Sequence, residues 1–433
     1  MLLKSSRNST VNNNYWVYLT VRSLIRTESN TTNSIVILNL TSSIFYYVKE
    51  TWCYHDSQMK NKNRRASDSE TWSAIGWGLA GGRILAHYMS NNYQPSFNEY
   101  IHANTCRADL RHVSKYFAPD AEQLIEFGDL QSASLAPTGR MLAKDGIERL
   151  LNFYKEHNLG DNIAHIGGLG GGTASGALPY TAAQLAKNIS ESKKDHQTYT
   201  DTEPPEQQIA VGMWPFEYEG SQYHFNAVVA IATLLNTDID TIALCDNATF
   251  GGENSSWEQL NARICNEVSQ ILHHDIHTTK NADQPTIILS TADIFEQNYS
   301  VSNIIDRTID TDRGRSLATS ATQMVVMASG NRQAFSQFNQ TQFKNEFKMW
   351  CDEHSVTADK IIRLNQNNSQ ALTVSIIFVD PDITPLLKTS SEKYRLFKQR
   401  CLSTDYINSS RFETWETNLN ECLANNFPVI ADE

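Results

Sequence analysis

Short apolar runs alternate with amphipathic stretches along most of this chain, the pattern of an open α/β sheet with helices packed on it. Trp72-Ser73-Ala74-Ile75, Asn162-Ile163-Ala164-His165-Ile166, Ile209-Ala210-Val211-Gly212-Met213 and Thr241-Ile242-Ala243-Leu244 read as strands. Tyr100-Ile101-His102-Ala103 is a further strand-like run, ending at the polar pair Asn104 and Thr105. Helices are expected over 84–90, over 141–155, and over 178–187, where Leu178, Ala182, Leu185 and Ala186 share one face. A longer helix starts near Ser256 and runs to about His277. Beyond it, Gln323 to Gly330 and Leu372 to Val379 read as strands, with amphipathic helices between and after them.

Two glycine loops interrupt this pattern where a strand meets a helix. Between 167 and 176 six of ten residues are glycine, which is unlike a helix or strand interior because glycine weakens both. The run Gly170-Gly171-Gly172-Thr173-Ala174-Ser175-Gly176 follows a strand and precedes a helix. Bare backbone N–H groups and a helix N-terminus make such a loop an anion site, worth about 0.3–1 kcal/mol at the surface and more when buried. Thr173 and Ser175 add hydroxyls, so the expected ligand is a nucleotide phosphate. A flexible linker is the competing reading. No Gly-Lys-Ser/Thr closes the run, so it is not a P-loop, and the dinucleotide spacing is missing. The second loop, Gly76-Trp77-Gly78-Leu79-Ala80-Gly81-Gly82-Arg83, repeats the logic, with Arg83 either a phosphate partner or a solvated helix residue.

Composition narrows the class. The 433 residues are 40% hydrophobic and 19% charged, with net charge −12, which disfavours non-specific nucleic-acid binding. Seven scattered cysteines form no CxxC pair, and His273, His274 and His277 lack the companions of a metal site, so no metal ligands are assigned. No apolar stretch reaches the roughly 18–20 residues that span a bilayer. Residues 1–58 carry three acids and five bases, net +2, leaving −14 for the remainder. They are expected to be a loosely structured extension, or translated sequence upstream of a start at Met59.

The glycine run resembles the GGGTG(S/T)G phosphate signature of the tubulin/FtsZ superfamily, with Ala174 replacing one glycine and Ala177-Leu178-Pro179 standing where FtsZ has Ala-Ala-Pro. Gly76 to Arg83 is similar to the first nucleotide loop of the tubulins and the archaeal CetZ-type branch. Asn104-Thr105-Cys106-Arg107-Ala108-Asp109-Leu110 resembles Val-Asn-Thr-Asp-x-x-Asp-Leu, with Cys106 in place of an acid. Leu130 to Leu135 stands where FtsZ has a glycine-rich γ-phosphate loop. Trp214-Pro215-Phe216-Glu217-Tyr218-Glu219-Gly220 is similar to the family loop whose glutamate meets the ribose.

The resemblance implies a site. Gly76, Gly78, Gly81, Gly82, Arg83 and residues 170–176 would bind phosphate, and Asn104, Glu219 and Asn226 would contribute to the ribose and base. Trp257 and Asn261, spaced i, i+4, would stack on guanine and read its edge. Asp293 would be the catalytic acid, in the stretch Ile288 to Ile294 that matches the loop inserted into a neighbouring subunit's site; Ser290 and Ile288 replace its other polar residues. The resemblance further implies GTP/GDP with Mg²⁺ as ligand, head-to-tail self-association, slow GTP hydrolysis, and a cytoplasmic role in division or cell shape. The alternative is a hydrolysis-deficient regulator of a conventional family member. The expected organisation is an N-terminal extension over 1–71, a Rossmann-like GTP-binding domain over 72–250, a central helix and connection over 251–284, and a smaller α/β domain over 285–433.

Overall fold

The computed structural model describes residues 72–114, 124–128, 133–156, 162–192, 207–247, 256–273, 285–295, 299–366 and 370–403. All lie within one compact unit, Glu70–Glu433. The expectations for residues 1–71, Leu130 to Ser132, His274, His277 and the C-terminal 404–433 fall outside the described residues.

Ten strands form one sheet: β1 (Trp72–Trp77), β2 (Phe97–Asn104), β3 (Leu124–Glu126), β4 (Asn162–Gly168), β5 (Gln207–Trp214), β6 (Thr241–Asp246), β7 (Thr286–Phe295), β8 (Gln323–Gly330), β9 (Asp359–Gln366) and β10 (Leu372–Val379), in the order β3-β2-β1-β4-β5-β6-β7-β10-β8-β9. The pairs from β3 through β7 are parallel, and β10 runs antiparallel to both β7 and β8. β1 and β6 are buried along their whole length, which is why they are written in nearly continuous apolar residues.

The helices are α1 (Gly78–Ser90), α2 (Arg107–Ser114), α3 (Ala136–Glu156), α4 (Gly172–Ser192), α5 (Ser221–Leu234), α6 (Trp257–His273), α7 (Val301–Thr308), α8 (Asp312–Ser320), α9 (Arg332–Gln337), α10 (Gln340–Glu353) and α11 (Thr384–Ser403). They cover both faces of the sheet. One core layer takes Ile84, Leu85 and Tyr88 of α1 with Leu260, Ile264 and Val268 of α6. The other takes Leu142 of α3, Ala177 of α4, Phe225 of α5 and Leu387 of α11. Among the described residues no helix is long and apolar enough to cross a membrane.

Two local expectations are corrected. The stretch 288–294 is not a loop but the body of β7, because Ile288 and Leu289 are buried between β6 and β10. The two glycine loops are shorter than expected, since α1 begins at Gly78 and α4 at Gly172. Tertiary packing outweighs glycine's low helix propensity there: a Cβ at Gly176 would lie 2.0 Å from the carbonyl oxygen of Ala136, so glycine lets α3 and α4 approach closely. The sheet runs unbroken from β6 to β7.

Candidate functional site

In the order β3-β2-β1-β4-β5-β6 the direction of progression reverses between β1 and β4, and ligands of open α/β sheets bind at the carboxyl ends of strands at such a point. A cavity of about 900 Å³ opens there, lined by the ends of β1 and β4 and by α1, α5 and α6.

Four helices start on its wall: α1 at Gly78, α4 at Gly172, α6 at Trp257, and α5, whose Gln222 and Tyr223 line it. Neither the α1 nor the α5 N-terminus has a side-chain cap, so the cavity faces backbone donors that no side chain has taken. Gly78 has φ +66°, a left-handed conformation that favours glycine and turns the chain sharply from β1 into α1. His102 fixes this turn: its Nε2 donates to the carbonyl oxygen of Gly78 at 2.8 Å, and burial lowers its pKa to about 4, so the ring is neutral. Beneath the loop, Trp77 Nε1 donates to Nδ1 of the fully buried His165 at 3.2 Å, and His165 Nε2 donates to Gln208 Oε1 at 3.0 Å.

Gly78, Arg83, Gly170, Gly171, Gly172, Thr173 and Ala174 all line the cavity. Arg83 Nη2 donates to His112 Nε2 at 3.0 Å. The Thr173 hydroxyl is 2.9 Å from that of Thr105, which accepts from Ala133 N–H at 3.2 Å. The other expected phosphate residues face inward. Gly76 lies in β1, and added Cβ atoms on Gly81 and Gly82 would strike the Ile166 carbonyl and the His102 ring. The Ser175 hydroxyl donates to Gly171 O at 2.6 Å, and Gly176 sits in the α3–α4 contact.

At the other end Trp257 is 64% exposed, edge-on to Phe216 with centroids 6.1 Å apart, and Phe216 stacks on Tyr218 at 4.9 Å. Ser256 and Gln259 form a reciprocal capping box, Gln259 N–H to Ser256 Oγ at 3.2 Å and Ser256 N–H to Gln259 Oε1 at 2.9 Å. This fixes the start of α6, whose Trp257, Glu258 and Asn261 line the wall. Glu219 also lines it; its carboxylate accepts from Phe216 N–H at 2.7 Å, and partial burial raises its pKa against that bond and the nearby Lys393.

Asn226 and Asn104 are not turned to the cavity. Asn226 is fully buried and joins three backbone groups, while Asn104 accepts from Cys106 N–H at 3.1 Å at the entry to α2. Asp293 lies on β7, away from the wall, paired with Arg307 at 2.5 Å and accepting from Ile294 N–H at 2.7 Å. The structure adds His87, Asp109, Tyr223, Asn247 and Glu258 to the wall. Two of them carried a spacing signal: His87 is i+4 from Arg83, and Glu258 is i−3 from Asn261.

No family model matches the chain. It is 26% identical over 191 residues to the tubulin-like protein CetZ4 of Haloferax volcanii, a match covering 42% of this chain and 44% of that protein, so it spans less than half of the relative's length. Its fold matches CetZ from Methanosaeta thermophila, with TM-score 0.57 and 15% identity over 81% of this chain and 98% of the other. It also matches the GTPγS-bound protofilament of CetZ2 from Haloferax volcanii, with TM-score 0.54 and 17% identity over 76% and 99%.

Proposed function

We propose that the chain, as a CetZ-like member of the tubulin/FtsZ superfamily, binds a guanine nucleotide in this cavity and assembles head-to-tail into filaments. What carries the reading is the convergence of Gly170–Gly172 and three helix starts at one end of a cavity that carries an exposed indole at the other. The backbone N–H groups and Arg83 hold the phosphates, and the helix dipoles favour their charge. Glu219 faces the ribose, Trp257 stacks on the base, and Asn261 meets its edge. A magnesium ion brought in with the phosphates would find a carboxylate in Asp109, which lines the wall, and would neutralise phosphate charge there. A cavity of this volume suits a ligand of nucleotide size.

The CetZ2 relative is described as a GTPγS-bound protofilament, and self-association of this chain is proposed by analogy with it. Hydrolysis is slow in this reading. Asp293 is the acid that would serve a neighbouring subunit, and its carboxylate is held by Arg307 within its own chain. That pairing also favours the second reading, a hydrolysis-deficient protein that binds nucleotide and co-assembles with a conventional relative.

Identifying the nucleotide released on denaturation, with calorimetry of GTP and GDP binding, tests the first claim; absence of guanine nucleotide and of binding heat overturns it. Sedimentation with GTP tests assembly. Phosphate release by wild type and Asp293→Ala separates the readings: a slow rate abolished in the variant supports the GTPase, and no release by either supports the co-assembly protein.

A further inference from the structure

The turn that carries Glu219 is tied to a helix far away in sequence. Within the turn, Glu219 N–H donates to Phe216 O at 3.0 Å, and the Glu219 carboxylate accepts from Phe216 N–H at 2.7 Å. Further ties come from α11, whose Ser390, Lys393, Tyr394 and Phe397 share one face at helical spacing. Tyr394 and Phe397 pack on Phe225 of α5, with ring centroids 5.5 and 5.1 Å away. That anchorage brings Lys393 Nζ to the turn, where it donates to Glu219 O at 3.3 Å and stands 3.3 Å from His224 Nε2. Beside it the buried His224 bridges the same two elements, with Nδ1 2.8 Å from Ser390 Oγ and Nε2 3.1 Å from Phe216 O.

Charge gives a reason for a lysine at this corner. Glu219 is half-buried on the wall of a cavity proposed to hold phosphate groups, and burial raises its pKa. A bound polyanion would add to that by repulsion. The Phe216 N–H bond and the Lys393 ammonium act in the opposite sense. Burial and Lys393 both lower the His224 pKa, against Phe216 and Glu217, so its ring is neutral and the ammonium balances the carboxylate. Resting on the guanine-nucleotide reading above, we propose that Lys393 is a positioning residue for that site: from α11 it holds the Phe216–Glu219 turn closed and keeps the carboxylate turned to the ribose hydroxyls. Recognition of the sugar then depends on a helix outside the described lining of the cavity.

The test measures Kd for GDP and for dideoxy-GDP, which lacks both ribose hydroxyls, on full-length wild type, Lys393→Met, Glu219→Ala and the double variant. Met keeps an apolar stem and removes the charge, and thermal melts of each variant check the fold. Lys393→Gln gives the same readout should the Met variant misfold. Hydrogen bonds to a carboxylate imply that the wild type prefers GDP over the dideoxy analogue by about tenfold or more. Lys393→Met is expected to cut that preference by about threefold or more. The double variant should show no lower preference than Glu219→Ala, because both changes act through one carboxylate. A lysine with a merely structural role would weaken both nucleotides equally. An unchanged preference in Lys393→Met therefore overturns the role of Lys393 and leaves the nucleotide site standing. A wild type that binds both nucleotides alike overturns the ribose contact of Glu219, and the role of Lys393 with it. If neither binds to the wild type, the guanine-nucleotide reading falls as well.

Discussion

Asn226 on α5 donates from its side-chain amide to the carbonyl oxygen of Gly170 at 2.8 Å, tying a core helix to the middle of the glycine loop. The same amide donates to Ser134 O at 3.0 Å, and its Oδ1 accepts from Ala136 N–H at 2.9 Å. One buried side chain thus holds two segments of the cavity wall in register. Asn226→Ala leaves the buried Ala136 N–H and Gly170 carbonyl without this partner, and it is expected to lower stability by about 2 kcal/mol or more. Chemical denaturation measures this directly. Nucleotide affinity should fall with it, because the loop loses its anchor.

Trp257 gives the opposite profile. Its indole is mostly exposed, so Trp257→Ala should leave the melting temperature within a degree or two of wild type. Loss of stacking should weaken nucleotide binding by about 1–3 kcal/mol. Calorimetry with GDP checks the affinity, and a large fall in melting temperature would show that the ring is a core residue instead.

Glu267 of α6 is fully buried, with one carboxylate oxygen bonded to the Ser375 hydroxyl, and burial raises its pKa from 4.5 to about 7. Below pH 4.5 the group is protonated whether the chain is folded or not. Between 4.5 and 7 the unfolded chain releases the proton and the folded chain retains it, so stability falls as pH rises. The loss amounts to roughly 3 kcal/mol and levels off above the window. Glu267→Gln should therefore be more stable than wild type at pH 8 and gain little at pH 4.5, as read from melts across the range.

His102 and His165 act in the other direction. Burial lowers each to about 4, with the Gly78 carbonyl and Gln208 respectively pulling back. Their contributions are whole above pH 6.5 and are lost as pH falls toward 4, by roughly 3 kcal/mol each. Two histidines outweigh one glutamate, so acidification from pH 7 should destabilise the wild type. His102→Gln should flatten that slope; an unchanged slope would mean that His102 titrates alike in the folded and unfolded chain.

The sheet was largely legible because a strand covered on both faces must be built from apolar residues. β1, β4, β5, β6, β8 and β10 each stand where such a run predicts them. β9 was hidden: Asp359-Lys360-Ile361-Ile362-Arg363 mixes charge with apolar residues, as a strand with one sheet neighbour among those described can. Glycine propensity argues against helix starts at Gly78 and Gly172, while the packing that favours them involves residues distant in sequence. The cavity residues on α1 and α6 followed helical spacing and were within reach. The inward turn of Asn226 was not, because its partners Gly170 and Ser134 lie 56 and 92 residues away. The resemblance implies a loop around Asp293, whereas the apolar run Ile287-Ile288-Leu289 packs as a strand between β6 and β10.

The ladder joining Thr241–Leu244 to Thr286–Leu289 has a mechanical consequence. The two halves of the molecule share one fabric of backbone hydrogen bonds, so they cannot swing open about a hinge as separately cored lobes do. Severing the connection between those strands would leave the halves gripping each other, and any rearrangement on binding must travel through the twist of the sheet or the seating of the helices upon it.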